Sequence, residues 1–251
     1  MIKYIACAAA FAGAIAVAGC AGMQAAQSSH ARVGSANLAQ DSGAATSVEL
    51  LWSHTDKNAG DTEVWYVVHI ANPASTTASV ALNVRALDLS GTIVGSDQPT
   101  LPNIAPRASF DYFGDLGGGF QTLSGTPASI TVSRAQNAFG KAGAVKLPTL
   151  KTGELKFHPS DPNAAASTAD TAYAYDFSVK VTNTTGQEMT GGVTQQIVLY
   201  DAAGHVVGGE TGSSDNVPDS LPAGMSYREV GTSVPALRPA VRAVYTVWPA
   251  S

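Results

Sequence analysis

The feature that most constrains the fold of this chain is an internal repeat that covers most of residues 48–250. Four segments of the first copy recur in the same order in the second copy, and the offset between them drifts by a few residues at loops. The matched segments are 49–59 with 154–164, 68–72 with 179–183, 88–94 with 201–207, and 104–110 with 221–227. A repeat of this length indicates domain duplication, not a solenoid of short units.

Each copy shows the side-chain alternation of β-strands. In one segment of the second copy, Tyr175, Phe177, Val179 and Val181 alternate with Asp176, Ser178, Lys180 and Thr182. A period of two gives a strand one buried face and one face toward solvent. Short segments of this kind, separated by turns rich in Gly, Pro, Asn and Asp, are typical of a β-sandwich. The sequence therefore predicts an all-β fold.

The second copy also resembles a known bacterial module. Residues 197–201 read Ile-Val-Leu-Tyr-Asp, and they follow Val-Lys-Val-Thr-Asn at 179–183 and precede Leu-Pro-Ala-Gly at 221–224. This arrangement resembles the FxLYD-type family, although Ile197 stands where the family has Phe and the first copy reads Val-Arg-Ala-Leu-Asp at 84–88. The resemblance implies immunoglobulin-like domains in an extracytoplasmic lipoprotein.

The N-terminal segment has the layout of a bacterial lipoprotein signal. Lys3 precedes an apolar, alanine-rich stretch at 4–18, which is shorter than the roughly 20 residues that a membrane-spanning helix needs. The sequence Val-Ala-Gly-Cys at 17–20 resembles a lipobox. The resemblance implies cleavage before Cys20, acylation of its thiol and new amino group, and, because Ala21 follows, an outer-membrane location. The alternative is an ordinary signal peptide whose cleavage site adjoins a cysteine.

The expected organisation is a signal, a tether and two tandem immunoglobulin-like β-sandwich domains. We expect a lipoprotein signal peptide at residues 1–19, a lipidated N-terminus and flexible tether at 20–46, domains at 47–136 and 153–251, and a linker at 137–152. The tether is assigned because its Ala, Ser, Gln and Gly-rich composition lacks the apolar residues that a core needs.

Charge and motif content limit the classes of function. The chain carries 14 Lys and Arg against 19 Asp and Glu, a formal net charge of −5, so the basic surface that nucleic acids require is missing. Its five histidines show no spacing that places metal ligands on one face, and no Gly-x-Ser-x-Gly nucleophile elbow occurs. We therefore expect no nucleic-acid partner, no cofactor and no enzymatic activity.

One loop of the first copy is a candidate calcium site. Asp56, Asn58, Asp61 and Glu63 place four oxygen-bearing side chains close together in the sequence. Calcium binds six to eight oxygen atoms, and extracellular modules often bind it weakly. The alternative is a turn in which Asp and Asn side chains hydrogen-bond to their own backbone.

The two copies differ on one strand, and the difference predicts a partner-binding face. The first copy has Trp65, Val67 and His69 at positions where the second copy has Asp176, Ser178 and Lys180. That strand of the first copy is therefore apolar on both faces, and exposed apolar patches often mark interaction sites. The alternative is that the second domain, a neighbouring loop or the tether covers this face.

Taken together, these features predict a membrane-anchored, non-catalytic binding or envelope-assembly module of the outer envelope. Its partners would be the membrane, through the lipid on Cys20, and an envelope protein. Two alternatives stay open: a surface-exposed adhesin or structural protein, and a carbohydrate-binding accessory protein. In the last case Trp52, Trp65 and Trp248 would stack on sugars, although tryptophans in strands more often belong to the core.

Overall fold

The computed structural model describes residues 45–58, 61–99, 101–117, 122–135, 150–161 and 171–250. These residues belong to one compact unit, and their regular elements are β-strands, which confirms the predicted all-β fold. Within these ranges no helix is long and apolar enough to cross a membrane. The predicted signal peptide, Cys20 and most of the predicted tether lie outside the described residues.

The described strands fall into a first half (residues 45–135) and a second half (residues 150–250). The first half contains β1 (Ser47–Asn58), β2 (Asp61–Ala71), β3 (Leu82–Leu87), β4 (Ile93–Asp97), β5 (Ser109–Leu116) and β6 (Ser129–Arg134). The second half contains β7 (Leu150–Pro159), β8 (Tyr173–Asn183), β9 (Met189–Thr190), β10 (Val193–Tyr200), β11 (Val206–Ser213), β12 (Ser220–Leu221), β13 (Ser226–Ala236) and β14 (Arg242–Pro249). Strand β7 therefore begins inside the predicted linker, of which residues 137–149 lie outside the description.

The two halves share one arrangement of antiparallel strands. In the first half, β2 pairs with β1 and β5, and β3 pairs with β4 and β6. In the second half, β8 pairs with β7 and β13, and β10 pairs with β11 and β14. The second half has one additional contact, at Gly208 and Ala236, which joins β11 to β13 and gives a six-stranded sheet. The internal repeat read from the sequence is therefore a repeat of strand pairing as well.

A buried asparagine occupies the same place in both halves. The side-chain amide of Asn72 donates to the carbonyl oxygens of Thr76 and Ile104, and its oxygen accepts from the backbone N–H of Ala74. Asn183 makes the equivalent bonds with Gln187, Leu221 and Thr185. Each asparagine thereby satisfies backbone groups of two loops that would otherwise be buried without partners.

The hairpin after the third strand is also built in the same way twice. The Asp88 carboxylate accepts from the backbone N–H groups of Ser90 and Thr92, and Asp201 accepts from those of Ala203 and His205. Gly91 and Gly204 follow in these turns with φ of 83° and 84°. The turn therefore requires Gly, because other residues rarely adopt positive φ. Asp201 is therefore a turn former, as Asp88 is in the first half.

Each half has a hydrophobic core between its two sets of strands. In the first half, the inward residues of β2 pack against those of β3: Val64, Tyr66, Val68 and Ile70 against Leu82, Val84 and Ala86. In the second half, the predicted alternation on β8 is confirmed, because Tyr175, Phe177, Val179 and Val181 are buried in its core. The fold therefore has sandwich character, in which each half buries apolar side chains between two layers.

Strand pairing corrects one detail of the sequence match. The match sets Trp52 against Phe157. In the second half, Phe157 pairs with Phe177 of β8. In the first half, Tyr66 is the counterpart of Phe177, and it pairs with Ser53 and not with Trp52. The first strands are thus displaced by one residue from the match, and a one-residue shift moves a side chain to the other face of a sheet. Phe157 accordingly packs into the second-half core, while Trp52 packs on the outer face of the first half.

Candidate functional site

The predicted partner face of the first half is an internal contact. Trp65 is 5% exposed, and Val67 is fully buried. They form a third hydrophobic cluster with Phe113 of β5 and with Val198, Tyr200 and Val206 of the second half. This burial corrects the prediction of an exposed partner-binding site at Trp65, Val67 and His69. The second half covers the face, because a strand that is apolar on both sides needs a packed layer on each side.

At the polar edge of this contact, one carboxylate of the first half bonds to residues of both halves. Asp111 of β5 lies with one oxygen 2.5 Å from Nδ1 of His69. Its other oxygen accepts a hydrogen bond of 2.6 Å from the hydroxyl of Tyr200 in the second half. Burial, with the neighbouring Asp111 carboxylate, raises the pKa of Tyr200, so the hydroxyl remains a donor. His69, the third residue of the predicted partner site, therefore supports the contact between the halves.

A buried glutamine links the two halves at the backbone. Gln196 of β10 is 1% exposed. Its side-chain oxygen accepts from the backbone N–H of Phe113 at 2.9 Å, and its amide nitrogen donates to the carbonyl oxygen of Asp111 at 2.5 Å. The side chain thus pairs with β5 much as a neighbouring strand would, and it satisfies groups that the contact would otherwise bury without partners.

Close approach of the halves depends on a glycine in β11. Gly209 has a φ of 152°, and a Cβ atom there would lie 2.3 Å from the carbonyl oxygen of Ile197 and 2.9 Å from the ring of Phe113. Real Cβ atoms do not approach backbone so closely. The Phe113 ring therefore lies over the bare backbone of Gly209, as is common where a strand glycine meets another element.

Beside this cluster the halves leave a cleft of about 330 Å³. The first half lines it with Glu63, Trp65, Phe113 and Asp115. The second half contributes Gly209, Glu210, Thr211, Thr232, Ser233 and Pro235. The lining combines two aromatic rings with three carboxylates and several hydroxyl groups, and its volume is at the low end for small-molecule sites.

Two carboxylates of the cleft, Glu63 and Glu210, have raised pKa values. Burial raises the pKa of Glu63 to about 7, and the charge and hydrogen bond of Asp115 act in the same direction, against the hydrogen bond from Trp65. Burial also raises the pKa of Glu210. The cleft therefore concentrates acidic groups where water screens them poorly.

Asp56 and Glu229 are both buried carboxylates, each 1% exposed, but their hydrogen bonding differs. Glu229 accepts hydrogen bonds from Gln195, Ser214 and Asn216. Both oxygens of Asp56, by contrast, have no hydrogen-bond partner in the described structure. A buried carboxylate without a partner is costly, so Asp56 is expected to lower the stability of the fold.

The candidate calcium site is split across the β1–β2 hairpin. Asp56 pairs with Glu63 across the two strands, and Asn58 pairs with Asp61. The side chains of Asn58 and Asp61 lie outside the description. Among the described residues no group of three or more His, Cys, Asp or Glu side chains is placed to hold a metal ion. The described side chains of the candidate set, Asp56 and Glu63, therefore do not form a calcium site with other described residues.

The three tryptophans do not form a sugar-stacking surface. Trp65 and Trp248 are buried, and Trp52 is half-buried against the third cluster. The ring of Trp248, from β14, makes an edge contact with Phe110 of the first half, with ring centroids 5.9 Å apart. These rings therefore stabilise the core and the contact between the halves.

Several residues of this region have no prediction from the sequence, namely Asp111, Phe113, Gln196, Tyr200 and Gly209. One signal was available: Gly208-Gly209 interrupts an otherwise strand-like segment, and glycine inside a strand often marks a close backbone approach. The other four are ordinary strand residues whose role depends on which layer meets which.

Comparisons with known proteins give no relative: the chain matches no protein-family model and no curated protein.

Proposed function

We propose that this protein is a membrane-anchored extracytoplasmic lipoprotein that works as a non-catalytic binding or envelope-assembly module. We further propose that its halves are tandem immunoglobulin-like sandwiches of the FxLYD type. The proposal on the fold is supported by the shared strand pairing and by the equivalent Asn72 and Asn183 bonds. Such sandwiches host many functions, so the fold alone assigns no activity.

The observation that carries the functional proposal is the buried contact between the halves. Apolar side chains, the Gln196 bridge and the Asp111–Tyr200 bond join the halves into one compact unit. A body of this kind holds its exposed surfaces in a fixed relation, as a binding or assembly module requires. A lipid on Cys20 followed by a flexible tether would then place these surfaces near a membrane.

The anchor is tested by metabolic labelling with an alkyne fatty acid. We expect the full chain to incorporate the label and to fractionate with the outer membrane. The Cys20→Ser variant is expected to remain unlabelled and to leave the membrane fraction. Labelling that persists in Cys20→Ser contradicts the assignment of the anchor, and protease treatment of intact cells distinguishes a periplasmic module from a surface adhesin.

The partner is tested by photocrosslinking from exposed apolar positions, since the Trp65 face is internal. Leu89 is 97% exposed at the β3–β4 turn of the first half, and Val241 is 60% exposed in the second half. We expect a photoreactive residue at one of these positions to give a discrete crosslinked envelope protein. The exposed Glu188 serves as the control position. Absence of a discrete product at both test positions counts against a stable envelope partner.

A further inference from the structure

Positive charge collects on the outer face of β7, β8 and β13 in the second half. Lys180 of β8 pairs directly with Arg228 of β13. Lys151 and Lys156 of β7 pair with the next outward residues of β8 on either side of Lys180. All four of these side chains are exposed. Paired residues are roughly 5 Å apart at Cβ and diagonal ones about 7–8 Å apart, so the four positive charges lie close together.

The described residues leave most of this charge without a counter-ion. Glu154 lies 3.9 Å from Arg228, and no ion pair within the described ranges involves the three lysines. Asp176, the other carboxylate of this face, already accepts two hydrogen bonds. The carboxylates of the segments outside the description are Asp41 and Asp170. Because like charges directly opposite each other destabilise a sheet, this face is better explained by an anion from outside the chain.

The charge of the chain is unevenly distributed. The face holds four of the 14 Lys and Arg residues of a chain whose formal net charge is −5. Two further lysines, Lys141 and Lys146, precede β7 in the sequence. The contact between the halves uses the outer faces of other strands, so the first half does not cover these side chains. The chain as a whole therefore repels anions, whereas this face attracts them.

A membrane with anionic lipids is the partner that fits this face. The four charges lie on an exposed sheet surface, and none of them lines the cleft between the halves. Clusters of Lys and Arg beside a membrane anchor are attracted to anionic headgroups, and each residue adds to the attraction. A flexible tether of the length predicted at 20–46 would reach roughly 30 Å, which keeps the face close to the membrane that holds the lipid on Cys20.

We propose that the outer face of β7, β8 and β13 binds an anionic phospholipid surface and so orients the anchored protein on its membrane. Four charges bind such a surface weakly and reversibly, so the face orients the protein and does not replace the lipid. This role rests on the proposed anchor, which supplies the membrane. The interaction itself is measured in a chain that cannot be acylated, so either proposal can fail while the other stands.

The test is flotation of the purified Cys20→Ser full chain with phosphatidylcholine vesicles, with and without about 30% phosphatidylglycerol, in about 50 mM sodium chloride. The ratio of the two partition coefficients measures the preference for anionic lipid. We expect Lys151→Gln/Lys156→Gln/Lys180→Gln to reduce this ratio by about tenfold or more. The matched control Arg85→Gln/Arg107→Gln/Arg134→Gln removes three exposed positive charges from the first half and should retain the ratio. Circular dichroism verifies that each variant is folded.

Further comparisons separate a membrane from other anions. Raising sodium chloride to about 500 mM should lower the preference for anionic lipid, because salt screens exposed charges. The proposal is overturned if anionic vesicles are not preferred, if the folded lysine variant retains the full ratio, or if both triple variants lose it equally, which would indicate an effect of net charge. Binding of soluble polyglutamate without a preference for anionic vesicles overturns it as well, in favour of an acidic protein partner.

Discussion

For single residues, the role of a side chain in the contact between the halves depends on which atoms of the other half it meets. Gly209 is a glycine because the Phe113 ring and the Ile197 carbonyl occupy the space of a Cβ. Gln196 is buried because its amide completes hydrogen bonds of β5. Sequence patterns report the period of a strand but not its neighbour, so these roles follow only from the packed structure.

Substitution of Gly209 by alanine should destabilise the fold strongly. The new Cβ would clash with backbone and the residue would keep a positive φ, so we expect the free energy of unfolding to fall by about 2–4 kcal/mol. Gly212 lies three residues away on the same strand with open space around its Cα, so Gly212→Ala is the matched control. Urea unfolding of both variants measures the difference, and equal stabilities would show that the halves do not approach as described.

The two buried carboxylates should respond in opposite ways to neutralisation. Asp56→Asn removes a charge that has no hydrogen-bond partner in the described structure, so we expect unchanged or higher stability at neutral pH. Glu229→Gln disturbs a carboxylate that accepts three side-chain hydrogen bonds, so we expect a loss of about 1–3 kcal/mol. Thermal unfolding compares them. A larger loss in Asp56→Asn than in Glu229→Gln would mean that Asp56 has a partner.

The raised pKa of Glu63 gives a signed pH dependence. Its pKa rises from 4.5 to about 7 on folding, so the folded state binds the proton more tightly than the unfolded state. This contribution to stability is fully present below pH 4.5 and is lost as the pH rises through about 7. Relative to Glu63→Gln, the unchanged protein should therefore lose melting temperature between pH 4.5 and 7.5. A constant difference across this range would rule out a proton held at Glu63.

At the scale of strands, the sequence predicts the type of element and one of its faces well. The alternation on β8 identified its buried residues correctly, and the matched segments 88–94 and 201–207 form the same Asp turn in both halves. The match failed by one residue at β1, where Trp52 was set against Phe157. The failure has a physical cause, since bulges near Leu50 in β1 and Gly153 in β7 shift the register locally.

The outer face of β2 offers a direct test at this scale. Asp176 is the second-half counterpart of Trp65, so Trp65→Asp gives the first half the polar residue of its repeat. We expect the variant to lose about 3–5 kcal/mol, because the new carboxylate would be buried against Val198 and Tyr200. The control Val230→Asp changes a half-exposed apolar residue of β13 and should be tolerated. Unchanged stability of Trp65→Asp would restore an exposed partner face.

At the scale of the whole described molecule, the contact between the halves is heterologous. The outer face of β1, β2 and β5 in the first half meets the outer face of β10 and β11 in the second half, so the two repeats use different surfaces. Such a contact between repeats would extend to further repeats unless the end surfaces differed. The second half has Asp176, Ser178 and Lys180 where the first half has Trp65, Val67 and His69. These polar residues do not favour packing of a further repeat on that face.

We expect this buried contact to make the two halves one cooperative unit. Hydrogen exchange of the full chain, measured by mass spectrometry across a urea series, follows β2 and β10 separately in one experiment. We predict that amides of both strands become exchangeable at the same urea concentration, because neither half keeps its outer face buried without the other. Two well-separated midpoints, with one half protected while the other exchanges, would show that the halves unfold independently of each other.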